Sequence, residues 1–196
     1  MRRIDKYRLF NWNYIPSVGK SGSILCGTKM ESFDVVSCVQ HKYILLINVF
    51  DKHNQVPWTV CTVYGAAHED QKREFLVELA EVCSRIHGPY IVGGDFNILR
   101  HCGEKNKNWR NSPHVDMFNA IIYSLNLIEI FTAGGLYTWS NNQSHPTLEK
   151  LDRVLMSDDW EHIFLDVTVR KLVRDLSDHN ALLLDTGTKT SLANIS

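Results

Sequence analysis

Three short segments of the chain carry side chains suited to hydrolytic chemistry, and each adjoins a stretch with the composition of a β-strand. They are residues 93–97, 151–153 and 177–179. Together they supply carboxylates, an amide and an imidazole, which a sheet can direct into one cleft from the ends of its strands. Groups of these types are suited to the metal-assisted attack of water on a phosphodiester.

The first segment follows an apolar run at residues 90–92, which favours a buried strand. Its two glycines allow a sharp turn or a close approach of the backbone. If the backbone stays extended, Asp95 and Asn97 face the same side of the strand and Phe96 points into the core. One polar residue could then orient a water and the other bind a phosphate oxygen. The alternative is a plain turn in which both satisfy local amides.

The third segment places His179 just before an apolar run of strand length at residues 181–184. Neighbouring residues on a strand point to opposite faces, so Asp178 is poorly placed to orient the imidazole. Asp152, which precedes another apolar run, is the predicted partner. A histidine held by a buried carboxylate keeps one tautomer and is a better base. A histidine with only a structural role is the alternative.

Further motifs occur in a fixed order along the chain. They are Ser17, Gly19, Ser21 and Gly22 before Ile24; Val63, Tyr64 and Gly65; Tyr137, Thr138, Trp139 and Ser140; and Ser157 with Trp160. With the three segments above, this order resembles the endonuclease/exonuclease/phosphatase superfamily, which includes deoxyribonuclease I. It is most similar to the endonuclease domain of plant non-LTR (LINE-type) retrotransposons. The motifs extend from about residue 12 to 185 of one predicted domain, 1–196.

The resemblance implies an α+β fold, a four-layer α/β/β/α sandwich, and in-line hydrolysis of DNA phosphodiesters with Mg²⁺ or Mn²⁺. By resemblance, Asp95 orients or deprotonates the water, while Asn97 and His179 bind non-bridging phosphate oxygens. Asp152 would hold His179. The remaining implied contacts are a phosphate contact by Tyr64 and metal ligation by Asp178 with Asp95.

The chain departs from the family pattern before the motif at Trp12. Family members open with a strand bearing a catalytic asparagine, a helix, and a strand ending in the glutamate that is the main metal ligand. We therefore expect the first strand-helix-strand to be missing, with an open sheet edge and weak magnesium binding. Three functions stay open: a magnesium-dependent endonuclease, an inactive nucleic-acid-binding remnant, and a phosphoesterase for small phosphoesters. A reverse transcriptase domain is the expected partner in a parent polyprotein.

Composition favours a domain with a sizeable core, because 44% of the residues are hydrophobic and 22% are charged. No apolar stretch is long enough to cross a bilayer, and no signal-peptide core follows the charged first residues. We therefore expect an intracellular protein, in the nucleus by resemblance, with no membrane partner. The five cysteines predict buried reduced thiols and no disulfide-linked partner. A zinc site at His101, Cys102 and Glu104 is disfavoured.

Contacts with the DNA phosphate backbone are expected at two places, although the formal net charge is only −1. Arg100 and Lys105, with Lys107 and Arg110, form a cationic segment that either attracts phosphate or is an ordinary solvated loop. Residues 140–150 are polar and predict a protruding loop or hairpin tip. By resemblance this loop contacts substrate through Asn141, Asn142 and His145. Trp139, inside a strand pattern, is predicted as a core anchor.

The remaining pattern interleaves strands with amphipathic helices. Strands are predicted over 23–26, 33–39, 43–49 and 58–64, a helix over 69–86, a helix starting with Ser112 as N-cap, and a short helix after Ser157. Such a sequence suits two sheets packed face to face and covered by helices.

Overall fold

The computed structural model describes residues 7–16, 23–173 and 177–187 as strands in four sheets with three α-helices. The strands are β1 (Phe10–Ile15), β2 (Ile24–Lys29), β3 (Phe33–Gln40), β4 (Ile44–Asp51), β5 (Val56–Tyr64), β6 (Tyr90–Asp95), β7 (Ile128–Glu129), β8 (Thr132–Ala133), β9 (Trp139–Ser140), β10 (Leu148–Glu149), β11 (Asp152–Met156), β12 (Thr168–Lys171) and β13 (Leu182–Asp185). The helices are α1 (Lys72–Cys83), α2 (Pro113–Ser124) and α3 (Asp158–Ile163).

A six-stranded sheet in the order β3-β4-β5-β6-β11-β7 forms the centre of the fold. The predicted strands β2 to β5 are present, and β3, β4 and β5 pair antiparallel as expected. β6 then lies parallel to β5, and β11 returns antiparallel beside β6. The apolar run at residues 90–92 thus becomes a central strand. Helix α1 connects the end of β5 to the start of β6, and this crossover allows the two strands to run parallel.

Both faces of the central sheet are covered, so neighbouring residues on one strand enter different cores. Val92 joins a core made with α1 and α2, in which Phe75 and Phe118 are fully buried. Ile91 joins a second core with Trp160 of α3 and Val169 of β12. The small sheets β1-β2 and β13-β12-β8 lie on this second side. The predicted α+β sandwich is confirmed.

Two helices begin at serine N-caps, where helices were predicted to start at Ser112 and after Ser157. The Ser112 side chain accepts a hydrogen bond from the backbone of His114, with Pro113 in the first turn of α2. Ser157 caps α3 and also accepts a hydrogen bond (3.0 Å) from the backbone N–H of Tyr90, which fixes α3 to the start of β6. Helix α1 ends at Cys83, earlier than the predicted 86.

All five cysteines are free, as predicted, but they are not all buried. Cys61 and Cys83 lie in the core between β5 and α1, while Cys38 and Cys102 are exposed. The prediction of burial was therefore wrong for the last two, because Cys38 lies on an exposed face of β3 and Cys102 in a surface turn. Within the described part of the chain, no helix has the length and apolar character needed to span a membrane.

Gly94 is required where β6 lies against Val63 of β5. Its φ is +141°, and a Cβ there would lie 2.1 Å from the carbonyl oxygen of Val63. We expect Gly94→Ala to lower the free energy of unfolding by about 3 kcal/mol or more, since both backbone strain and a backbone clash arise. Urea unfolding followed by circular dichroism measures this loss.

The matched control for Gly94 is Gly88, which has a φ of +82° and no atom within 4 Å of the place that a Cβ would occupy. Gly88→Ala introduces conformational strain without a clash, at a cost of about 1 kcal/mol. Equal losses for the two variants would contradict the packing assigned to Gly94.

Candidate functional site

Three neighbouring strands bring polar residues from distant parts of the chain to one edge of the central sheet. Tyr64 at the end of β5 is in register with Asp95 at the end of β6. Asp152, the first residue of the antiparallel β11, is in register with Asp95 on its other side. In-register residues of adjacent strands project to the same face, so the two carboxylates lie side by side.

His179 lies between these two carboxylates. Its Nδ1 is 2.8 Å from Oδ2 of Asp152, and its Nε2 is 3.8 Å from Oδ2 of Asp95. Asp95 is buried and the imidazole is half-buried. The contact between Asp152 and His179 that the sequence predicts is present, and it fixes the tautomer and orientation of the ring.

Asn97 differs from the extended geometry that was expected. Its φ is +52°, a left-handed conformation that asparagine tolerates. Its backbone N–H donates to Oδ1 of Asp95, and its side-chain amide donates to Oδ2 of Asp95 and to the carbonyl of Gly65, each at 2.9 Å. The extended interpretation was therefore wrong, and Asn97 orients Asp95. Phe96 is fully buried, as predicted.

Thr138 connects the strand carrying Asp152 to the segment carrying His179. Its hydroxyl accepts hydrogen bonds from the backbone N–H groups of Leu151 (3.0 Å) and Asp152 (2.9 Å). Its carbonyl accepts one from the N–H of Asn180 (2.7 Å). Sequence reasoning gave Thr138 no role, although it lies in a motif of the resemblance and is fully buried.

The electrostatics of the site follow from burial and from the close carboxylates. Burial, and then the negative charge of Asp152, raise the pKa of Asp95 to about 6, against the opposing effects of Asn97 and His179. The hydrogen bond to Asp152 raises the pKa of His179 above its usual range. The carboxyl group of Asp95 therefore titrates nearer to neutral pH than an exposed aspartate would, which is typical of groups that transfer protons.

Asp178 and Trp139 form a contact at the edge of the site. The indole N–H of Trp139 donates to Oδ2 of Asp178 at 3.0 Å. Trp139 is half-buried and outside both cores, so its predicted role as a core anchor was wrong, because β9 is a short strand of a surface hairpin.

Asp95, Asp152 and His179 offer ligand atoms that all lie within 4.8 Å of one another, and Asp178 is not a member of this group. Magnesium takes one or two carboxylates and completes its shell with water and substrate phosphate. Oδ1 of Asp152 accepts no hydrogen bond from the residues that the structure describes. The chemistry of Asp95 and Asp152 therefore fits a hard divalent cation, and metal ligation by Asp178 stays a prediction.

The predicted cationic segment is largely occupied by internal contacts. Arg100 donates to Glu129 (2.6 Å) and to Asn119 (2.9 Å), which argues against its predicted substrate contact. Lys105 pairs with Glu149 at 2.7 Å, so its positive charge is shared with a carboxylate. These partners come from distant elements and could not be inferred from the local charge pattern.

Residues 140–150 form the predicted hairpin, with β9 and β10 as its strands. Asn141 stabilises it from within, because its side-chain oxygen accepts a hydrogen bond (2.9 Å) from the backbone N–H of Thr147. Asn142 and His145 are exposed near its tip. The hairpin therefore leaves these two side chains accessible to a ligand, and gives Asn141 a structural contact.

A buried ion pair beneath the site was not predicted. Arg153 and Glu104 are 0% and 2% exposed, and the guanidinium meets both carboxylate oxygens at 3.1 and 3.0 Å. Arg153 also donates to the carbonyls of Ile98 (3.1 Å) and Lys150 (2.9 Å). It thus joins the segment after Asn97 to the start of β11. Both carboxylate oxygens of Glu104 are therefore engaged by Arg153.

Glu129 joins the same network and gives it a pH dependence. Burial alone would raise its pKa, but Arg153, Lys150 and Arg100 together lower the pKa to about 2. The carboxylate therefore stabilises the fold fully above the unfolded-state pKa of about 4.3, and this contribution is lost as the pH falls towards 2.

We expect the free energy of unfolding of Glu129→Gln to fall less steeply than that of the wild type between about pH 4.5 and pH 2, because glutamine does not titrate. The variant should also be less stable than the wild type at neutral pH. Urea midpoints measured across this range test the prediction. An unchanged slope with pH would contradict the assigned network.

The comparisons with known proteins identify a family for the chain. Residues 6–179 match the profile of the Endonuclease/Exonuclease/phosphatase family. The chain belongs to this family. No curated protein matches it significantly.

Solved structures similar to this family member have different activities. One is the endonuclease domain of TRAS1, a telomere-specific non-LTR retrotransposon (TM-score 0.62, 14% identity, 89% of this chain and 79% of that chain). Another is the human nocturnin catalytic domain with bound sulfate (0.58, 16%, 94% and 76%). A third is a mannosyl-6-phosphatase from Bacteroides thetaiotaomicron (0.57, 13%, 94% and 79%). At these identities the likeness shows a shared fold.

Proposed function

We propose that this chain is an endonuclease domain that hydrolyses DNA phosphodiester bonds with a divalent cation, Mg²⁺ or Mn²⁺. The observation that carries the proposal is the position of His179, 2.8 Å from Asp152 and 3.8 Å from Asp95. Membership of the Endonuclease/Exonuclease/phosphatase family supports phosphoester chemistry at this place. The similarity to a retrotransposon endonuclease domain supports DNA as the substrate.

In the proposed reaction a water oxygen forms a new bond to phosphorus while the bond to the leaving oxygen breaks. Asp95, held by two hydrogen bonds from Asn97, orients the water and accepts its proton. His179, held by Asp152, donates a hydrogen bond to a non-bridging oxygen as negative charge builds there. The leaving oxygen takes up a proton from solvent water and becomes a hydroxyl, and Asp95 releases the proton that it accepted to solvent.

A divalent cation held by Asp95 and Asp152 would polarise the phosphate and stabilise the leaving oxygen. Tyr64, in register beside Asp95, is proposed to contact the same phosphate. Asn142 and His145 on the exposed hairpin tip are proposed to contact DNA outside the cleaved bond. An origin in a LINE-type retrotransposon, a reverse transcriptase domain in the same polyprotein and a nuclear location belong to this proposal.

Nicking of supercoiled plasmid DNA tests the proposal. Open circular product should accumulate with Mg²⁺ or Mn²⁺ and be absent with EDTA. Salt-sensitive DNA binding without cleavage at any metal concentration would favour the inactive nucleic-acid-binding remnant. Release of phosphate from sugar phosphates with DNA left intact would favour a phosphoesterase for small substrates. Either of these outcomes overturns the proposed endonuclease.

A further inference from the structure

A cavity of about 240 Å³ opens beside the candidate site, and the proposed reaction does not use it. Its walls come from the chain around the start of α1, from residues 97–99, from parts of the segment between Lys105 and the start of α2, and from Glu149 and Leu151. Asn97 lines the cavity and also bonds to Asp95. A ligand in this cavity, called here the Trp109 pocket, would therefore lie next to the reacting phosphate.

The pocket combines an aromatic ring with positive charge. Its wall includes Trp109 and the cations Arg110, Lys72 and Lys105. Lys72 and Lys105 pair with two carboxylates of the same wall, Glu69 and Glu149. Trp109 packs against the core formed by α1 and α2, which holds its ring in place. Arg110 is exposed and forms no ion pair with any residue in the described ranges. Its charge is therefore available to an anionic ligand.

The walls of the Trp109 pocket are fixed by contacts between separate elements. Glu69 accepts a hydrogen bond from the hydroxyl of Ser112 (2.8 Å), lies 2.8 Å from Nδ1 of His114, and pairs with Lys72 at 2.9 Å. These contacts join the start of α1 to the start of α2. The pocket is thus formed before any ligand arrives, which lowers the entropic cost of binding.

We propose that the Trp109 pocket binds one nucleotide adjacent to the scissile phosphate, with its base against Trp109 and its phosphate near Arg110. The proposal rests on the proposed function, since it places the nucleotide on the substrate of that site. A volume of about 240 Å³ lies just below the range of about 300–1,000 Å³ for drug-sized ligands. It suits a single unstacked nucleotide, and the charged lining disfavours an apolar ligand. Proteins that bind single-stranded nucleic acid stack the bases on aromatic side chains and contact the phosphates with positively charged side chains.

The test is an NMR titration of the full chain in EDTA, where no catalysis can occur. The probes are deoxyadenosine 5′-monophosphate, adenosine 5′-monophosphate and deoxyribose 5-phosphate, which lacks a base. The two nucleotides should shift the Trp109 indole resonance and the Arg110 amide resonance saturably, and the base-free probe should bind more weakly. The deoxynucleotide and ribonucleotide arms distinguish a DNA-derived from an RNA-derived ligand.

Variants distinguish stacking of the base on Trp109 from a purely structural role of that residue. Trp109→Leu keeps apolar packing but removes the ring, and should weaken nucleotide binding by at least about fivefold. Trp109→Phe should retain most of the affinity. Tyr123→Ala is the matched control, because Tyr123 is an exposed aromatic residue of α2 (85%) that does not line the pocket. Its affinity should equal that of the wild type.

Equal binding of the base-free probe, or shifts that leave Trp109 unaffected, would overturn the nucleotide pocket. That outcome is distinguishable from failure of the proposed function. Plasmid nicking with no nucleotide binding at Trp109 would reject the pocket alone. Nucleotide binding at Trp109 in a chain that cleaves no DNA would uphold the pocket and reject the proposed hydrolysis.

Discussion

His179→Ala should lower the rate of DNA nicking by about a hundredfold to ten-thousandfold. The imidazole is the only described group that contacts both Asp152 and Asp95, so its loss removes the donor to the phosphate. It also removes the ring that lies between two adjacent carboxylates. The measurement is the initial rate of conversion of supercoiled to open circular plasmid at saturating Mg²⁺.

The control for this variant is His162→Ala. His162 is also near an aspartate, with Nδ1 3.9 Å from Asp158, but its side chain is 72% exposed on α3. This variant should nick at the wild-type rate. Equal rates for His179→Ala and the wild type would show that any nicking arises at another place.

Glu104→Gln should lower the free energy of unfolding by about 3–5 kcal/mol. The substitution leaves the guanidinium of Arg153 fully buried beside a neutral amide. Glu129, at 3.2 Å, remains as its carboxylate partner. Breaking one partner of a buried ion pair is costly because the other charge stays out of water. Urea unfolding of the variant and the wild type at neutral pH measures the loss.

Two further variants make this stability prediction specific. Glu31→Gln removes the exposed pair with Lys29 and should leave the stability unchanged within error. The double variant Glu104→Met, Arg153→Met replaces the pair by apolar groups and should be more stable than Glu104→Gln alone. A loss no larger than that of Glu31→Gln would contradict the burial and pairing of Glu104.

The partnership of Asp152 with His179 could be predicted because strand geometry alone disfavours Asp178. The strands that adjoin these residues could also be predicted, since their apolar runs are strong. Helices α2 and α3 could be predicted because Ser112 and Ser157 precede them as good N-caps. The site lies at the ends of strands whose positions the local sequence pattern predicts correctly.

Other features could not be predicted because they depend on contacts distant in sequence. Arg153 and Glu104 are separated by 49 positions, and each is typical of a surface residue until the fold joins them. Asn97 was misjudged because one left-handed φ turns its amide back towards Asp95. Arg100 looked like a phosphate contact because its partners, Asn119 and Glu129, lie on other elements.

The most direct test of the site is a double-mutant cycle on the nicking rate with Asp152→Ala and His179→Ala. The rates are compared at Mg²⁺ concentrations that saturate each variant, so that weaker metal binding without Asp152 does not limit them. If Asp152 acts by holding His179, the double variant should then be about as slow as His179→Ala alone, because the carboxylate has no imidazole left to orient. Losses that multiply independently would contradict the assigned pairing. A wild-type chain that binds DNA but never nicks it would contradict the proposed hydrolysis itself.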